Sequence, residues 1–196
     1  MKPWIICLAV CLPLLLVAGT PQRPLEEKGR APAVKAEEIS YLPPSAFPHL
    51  LHTIQRNLQQ RGYRIPQAYD QPGPHNVISG DFQARGQTDY AVLCSKGGQS
   101  WIMVFWGGSI NNPAKIAVGT DEDFLQSLPD GRRVYTRRIE PVTEEYIRRN
   151  CSTPDGSRPP ILHGGIHDIH AGQGAVVHYR SLDDWVGLVD RPPEGR

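Results

Sequence analysis

Residues 90–106 constrain the fold more than any other part of the chain. They hold two apolar runs, YAVLC at 90–94 and WIMVFW at 101–106, separated by SKGGQS. Adjacent glycines can supply the positive backbone angles of a tight reversal, and the flanking runs carry the β-branched and aromatic side chains that suit strands. The pattern predicts a hairpin, and a hairpin with so many apolar side chains needs cover.

A helix that could provide it is predicted at 46–61, with Ser45 as N-cap and Gly62 as terminator. Phe47, Leu50, Leu51, Ile54 and Leu58 recur there at helical spacing on one side. Further along, strands are expected at 76–79 and 115–118. A short helix is expected at 121–128, capped by Thr120 and carrying Asp121, Glu122 and Asp123 at its positive end. Alternating polar and apolar residues predict a strand over 132–139 with one wetted face. Residues 143–150 read as a second short helix, with Arg148 and Arg149 at its negative end, and 174–179 with 185–189 as a closing strand pair. The expected class is α+β: a small, mainly antiparallel sheet with an N-terminal amphipathic helix packed on it.

The first residues bear on location. Lys2 precedes a run without charge from Trp4 to Ala18, and small residues follow at Ala18 and Gly19. This is the pattern of a secretory signal peptide spanning 1–19, and the run is shorter than the roughly 20 residues of a membrane span. The expected organisation is therefore a signal peptide at 1–19 and a disordered or loosely packed arm at 20–44, whose Tyr41 and Leu42 reach the domain. A single domain at 45–190 and a tail at 191–196 follow. Cleavage would remove one basic residue and no acidic one, leaving a formal charge near zero. Such a chain has no electrostatic reason to bind nucleic acid or an anionic membrane, and after cleavage no membrane span is expected. The location expected is periplasmic or secreted.

Cleavage would also remove Cys7 and Cys11. Cys94 and Cys151 remain, and in an exported chain two cysteines most simply form a disulfide, with two buried free thiols or a catalytic cysteine as the competing readings.

Residues 80–93, GDFQARGQTDYAVL, resemble one FG-GAP or VCBS-type repeat, in which a calcium loop leads into an apolar strand. Asp81, Gly86 and Asp89 stand at matching positions, whereas Gln83 and Arg85 replace two oxygen ligands. Calcium requires about six oxygens and tolerates a neighbouring cation badly, so the loop is expected to hold no calcium. Arg85 is expected to pair with Asp81 or Asp89 in place of an ion. The chain as a whole also resembles a loose group of exported bacterial proteins. The resemblance rests on the leader, this loop-strand, the cysteine pair, the HGGI turn and a VVHYR…DDW ending; it implies export and no particular activity.

Two further features could carry function. His163, His167, Asp168 and His170 bring imidazoles and a carboxylate into one short stretch, the donor types of a zinc site. On an extended backbone, however, His163 and His167 would face one side and Asp168 and His170 the other. Trp101, Phe105, Trp106 and Trp185 form an aromatic set that is either core or a binding platform. The expectation is a non-catalytic domain without a cofactor that binds a protein or cell-envelope component through its sheet. The alternative is a metal-dependent hydrolase using the histidine stretch, with zinc as its cofactor.

Overall fold

The computed structural model describes residues 39–190. The segments expected to be a signal peptide (1–19) and a tail (191–196) lie outside these residues, as does the part of the expected arm before residue 39. In chain order the elements are β1 (Tyr41–Leu42), α1 (His52–Gln60), β2 (Ile65–Pro66), β3 (Val77–Gly80), β4 (Asp89–Lys96), β5 (Gln99–Phe105), β6 (Ala114–Thr120), β7 (Leu125–Ser127), β8 (Arg133–Tyr135), β9 (Arg137–Val142), α2 (Glu144–Asn150), β10 (Cys151–Ser152), β11 (Gly165–His170), β12 (Gly174–Ser181) and β13 (Asp184–Asp190). Tyr41 and Leu42 do reach the domain, pairing with Pro66 and Ile65.

The α+β expectation is corrected. Strand makes up 43% of the described residues against 17% helical, in four antiparallel sheets, so the protein is mainly β. Two of the sheets are large, with strand orders β3-β4-β5-β6 and β10-β13-β12-β11-β9. The helix is also not the N-terminal element. It starts at His52, after β1 and a 3-10 turn at Pro44–Ala46. Phe47, at φ −115° and ψ 86°, and Leu51, at φ −56° and ψ 135°, both leave helical geometry, so the helix begins only at His52. Phe47 and Leu50 therefore enter the core from an irregular segment, held by Gln55, whose Nε2 donates to both of their carbonyl oxygens at 2.8 Å.

The predicted hairpin forms as β4 and β5, which pair from Tyr90↔Phe105 to Lys96↔Gln99. Gly97 and Gly98 turn it with φ of 61° and 76°, values that a side chain would resist. Alternation along the hairpin then sends its side chains to two cores. Val92, Cys94, Trp101, Met103 and Phe105 pack under Ile54 and Leu58 of α1. Ala91, Leu93, Ile102 and Val104 face the second large sheet, meeting Ile139 of β9 and Ile166 of β11. The far side of that second sheet packs Val177, Tyr179 and Leu188 against Ile147 of α2. The layers thus run helix, sheet, sheet, helix. Full burial of Ile54 and Leu58 contributes about 1.5–3 kcal/mol each.

Two segments depart from their expected form. The helix at 121–128 is a single 3-10 turn, Asp121–Phe124, followed by β7, because Leu125, Gln126 and Ser127 pair with β8. Thr120 caps the turn as expected, and Asp123 completes a reciprocal capping box with it. The strand at 132–139 is split by Thr136, whose backbone N–H and Oγ1 both donate to Phe124 O at 2.9 Å, and its halves join different sheets.

The expected disulfide is absent, and both cysteines are buried free thiols. Cys94 lies in the core beneath α1 and Cys151 in the core beneath α2, so the two large sheets separate them. Burial pushes the Cys94 thiol far up and the Cys151 thiol up to about 11, the latter helped by the charge of Asp190.

Asn76 joins the two large sheets at one edge. Its backbone is left-handed, with φ of 74°, and its side chain is buried. Oδ1 accepts from Ile139 N, while Nδ2 donates to Pro66 O at 2.7 Å and to Arg137 O at 3.4 Å.

Candidate functional site

The histidine stretch falls on β11, the strand between β9 and β12. Alternation divides it, as extended geometry requires. Asp168 and His170 face the inter-sheet core and His167 faces outward, while His163 precedes the strand altogether. His163 stacks on Tyr179 with ring centroids 4.5 Å apart and contacts the carbonyl oxygens of Gly164 and Arg180. The four residues named as zinc candidates therefore do not converge. Among the described residues no group of three or more His, Cys, Asp or Glu side chains could hold a metal ion.

Asp168 meets a cation of the protein's own. Arg137, opposite His170 in the β9–β11 register, donates from Nε to Oδ1 at 2.9 Å and from Nη2 to Oδ2 at 2.8 Å. His178 Nε2 lies 3.2 Å from Oδ2, and His170 Nε2 is 3.6 Å from Oδ1, at ion-pair rather than hydrogen-bond distance. Burial alone would raise the pKa of the Asp168 carboxyl. The two imidazoles and the guanidinium overcome that effect and hold it well below the usual carboxylate range. This group is a buried structural knot, its carboxylate already filled with donors.

The outward face carries a different arrangement. Helix α2 covers one part of it, and an open cleft of about 740 Å³ occupies the rest. Ile169 and Ala175, cross-strand neighbours on β11 and β12, lie in the cleft. Around them stand Arg138 and Glu140 from β9, His167 from β11, Asp190 from β13, and Tyr69 and Asp70 from the loop after β2. Arg138 Nη1 is 2.5 Å from Asp70 Oδ2, and its Nε is 3.0 Å from Glu140 Oε1. Asp190 Oδ2 accepts from Tyr146 Oη at 2.8 Å and lies 3.1 Å from His167 Nε2. That last contact lacks hydrogen-bond alignment, and neither His167 Nε2 nor Asp190 Oδ1 has a hydrogen-bond partner. Burial lowers the His167 pKa, against the opposing pull of Asp190 and Glu140. Tyr146 is pushed up to about 12, by burial first and then by Asp190, so it remains a donor. Three carboxylates thus share one guanidinium and a neutral imidazole, beside a tyrosine ring that is 47% exposed. Such a cleft favours a cation.

Of these residues the sequence indicated only His167. The Arg138-x-Glu140 spacing, at the end of the predicted strand 132–139 and one residue beyond it, was the available signal, but Asp70 comes from a loop earlier in the chain and Asp190 from the last strand.

The loop at 81–89 is organised around Asp89. Its buried carboxylate accepts from the backbone N–H groups of Phe82, Gln83 and Gly107 and from Gln87 Nε2, at 2.6–3.0 Å. Asp81 accepts from Gly164 N. The expected pairing of Arg85 with Asp81 or Asp89 is corrected: it reaches across to Glu144 of α2. Gly86 has φ of 81°, a turn conformation that suits glycine.

The aromatic platform is also corrected. Trp101 and Phe105 are buried beneath α1. Trp106 and Trp185 stack on each other at 5.8 Å beside the inter-sheet core, with the Arg180 guanidinium over Trp106. Both are partly buried, so neither offers an open face.

Fold and site together define a two-sheet β-sandwich with a short helix on each outer face and an acidic cleft beside the second helix. No protein family, curated protein or solved structure matches the chain. Among the described residues no helix is long and apolar enough to cross a membrane.

Proposed function

We propose that this chain is the non-catalytic binding domain of an exported protein, periplasmic or secreted, and that its cleft takes a cationic group of a protein or cell-envelope component. The observation that carries the reading is the charge balance of the cleft. Asp70, Glu140 and Asp190 exceed the single guanidinium of Arg138, over the apolar surface of Ile169 and Ala175. An ammonium group on a short apolar stem, such as a lysine side chain, matches both features, and Tyr69 at the rim adds a ring face for the cation. Export is supported by the leader pattern at 1–19 and agrees with the near-neutral composition.

Calorimetric titration with 1,5-diaminopentane, with glutarate as the anionic control, tests the reading. The diamine should bind in the millimolar range and glutarate should not. Glu140→Gln should weaken the diamine about tenfold, equivalent to about 1.4 kcal/mol. Equal binding of the two compounds, or an unchanged affinity in the variant, would count against the cleft.

A further inference from the structure

The three carboxylates of the cleft are not equivalent. Asp70 and Glu140 are both paired with Arg138, at 2.5 and 3.0 Å. Among the described residues no arginine or lysine pairs with Asp190. Its Oδ2 accepts from the Tyr146 hydroxyl at 2.8 Å and lies 3.1 Å from His167 Nε2, while its Oδ1 has no hydrogen-bond partner. A neutral imidazole leaves the Asp190 charge free to attract a ligand. A protonated one, at 3.1 Å, cancels it through space whether or not the ring hydrogen aligns.

The elements around His167 leave it as the group that changes charge in mild acid. Glu140 stands opposite it in the β9–β11 register, with Arg138 two residues before, and apolar Val177 opposes it on β12. Tyr146 of α2 lies against it with ring centroids 6.2 Å apart, and Asp190 comes from β13. Asp168, the next residue on β11, points to the opposite face. Tyr146, pushed up to about 12 by burial first, keeps its proton in acid, and Asp168 keeps its charge. Burial lowers the His167 pKa, so the ring is neutral at pH 7.5 and takes up its proton below about 6.5.

We infer that a proton on His167 and the cation of a ligand compete for Asp190, so that the cleft holds its ligand at neutral pH and releases it in acid. The inference rests on the cation-binding reading of this cleft and adds its control. Calorimetric titration with 1,5-diaminopentane at pH 7.5 and 5.0, on the wild type and His167→Gln, tests it; both amines of the probe stay charged over this interval. Wild-type affinity should fall about tenfold from pH 7.5 to 5.0, within the usual range of coupling between two bound species. His167→Gln should keep most of its affinity over the same interval, because glutamine takes up no proton. In the wild type alone, the NMR titration midpoint of the His167 ring should move to lower pH when the diamine is bound, since such coupling is reciprocal. A wild-type affinity that does not change, a fall of equal size in the variant, or a midpoint unmoved by bound diamine overturns the inference and leaves the cation-binding reading standing. Failure of the diamine to bind at pH 7.5 removes that reading, and the inference with it.

Discussion

Arg137 and Asp168 form a two-point ion pair within the five-stranded sheet, and the same guanidinium reaches the four-stranded sheet. Its Nη2 donates to Ala117 O at 2.7 Å and its Nη1 to Ser100 Oγ at 3.4 Å. One side chain, 1% exposed, thus neutralises a carboxylate on its own sheet and hydrogen-bonds two strands of the other. Phe124 closes the pair from solvent, with the guanidinium 4.4 Å from its ring centre.

Replacing one member of this pair leaves a buried charge without its partner. Arg137→Leu and Asp168→Leu are each expected to cost about 3–5 kcal/mol, measured by urea unfolding. The double variant should lose clearly less than the two single losses together, because neither charge is then stranded. Simple additivity would show that the two residues act independently.

Acid stability should fall in two stages, each with its own sign. His167 has a lowered folded pKa through burial, so the unfolded chain takes up a proton first as pH drops through about 6.5, and stability declines from there toward the folded value. Asp168 is depressed as well, and its contribution is present above an unfolded pKa of about 3.9 and lost as pH falls below it. His167→Gln should flatten the slope just below pH 6.5 and leave the steep loss below pH 4. A slope unchanged in the variant would remove His167 from the first stage.

The fold was legible in part. The β4–β5 hairpin could be read from 90–106 because its alternation and its glycines act locally. The α2 helix was equally plain from Thr143 and its terminal arginines, and Thr143 Oγ1 does accept from Tyr146 N. In the second sheet the closing pair β12–β13 was legible at 174–179 and 185–189, and β9 in part at 132–139, but β11 was not, because Gly164 and Gly165 conceal its start. Its outward positions carry His167 and Ile169, one polar and one apolar, so the alternation fails. The cleft was hidden for a related reason: it gathers Arg138, His167 and Asp190, brought together by sheet order, and Asp70 from the loop after β2. The disulfide expectation rested on compartment and number, and neither can show that Cys94 and Cys151 occupy cores on opposite sides of the sandwich.

Asn76 offers a way to separate conformation from hydrogen bonding. Asn76→Gly keeps the left-handed backbone but loses the bonds to Pro66, Arg137 and Ile139, at a cost of about 1–3 kcal/mol. Asn76→Ala loses the same bonds and adds strain, and should be about 1 kcal/mol worse than glycine in thermal unfolding. Equal losses would mean that the positive φ is not maintained in solution.

Cys94 and Cys151 should resist a thiol reagent in the folded protein and react only after denaturation, as buried thiols with raised pKa values do. Mass spectrometry of non-reduced, denatured protein after alkylation would find both modified. A peptide linking the two would contradict the separation of the cores.

The most direct test of the proposed function is a map of where the diamine binds. In a titration of ¹⁵N-labelled protein with 1,5-diaminopentane, the account predicts amide shifts concentrated at Asp70 and from Ile169 to Ala175, with little change at 81–89 or around Trp106. Shifts spread over the surface, centred on another region, or reproduced by glutarate would contradict a cation-binding cleft on the second sheet.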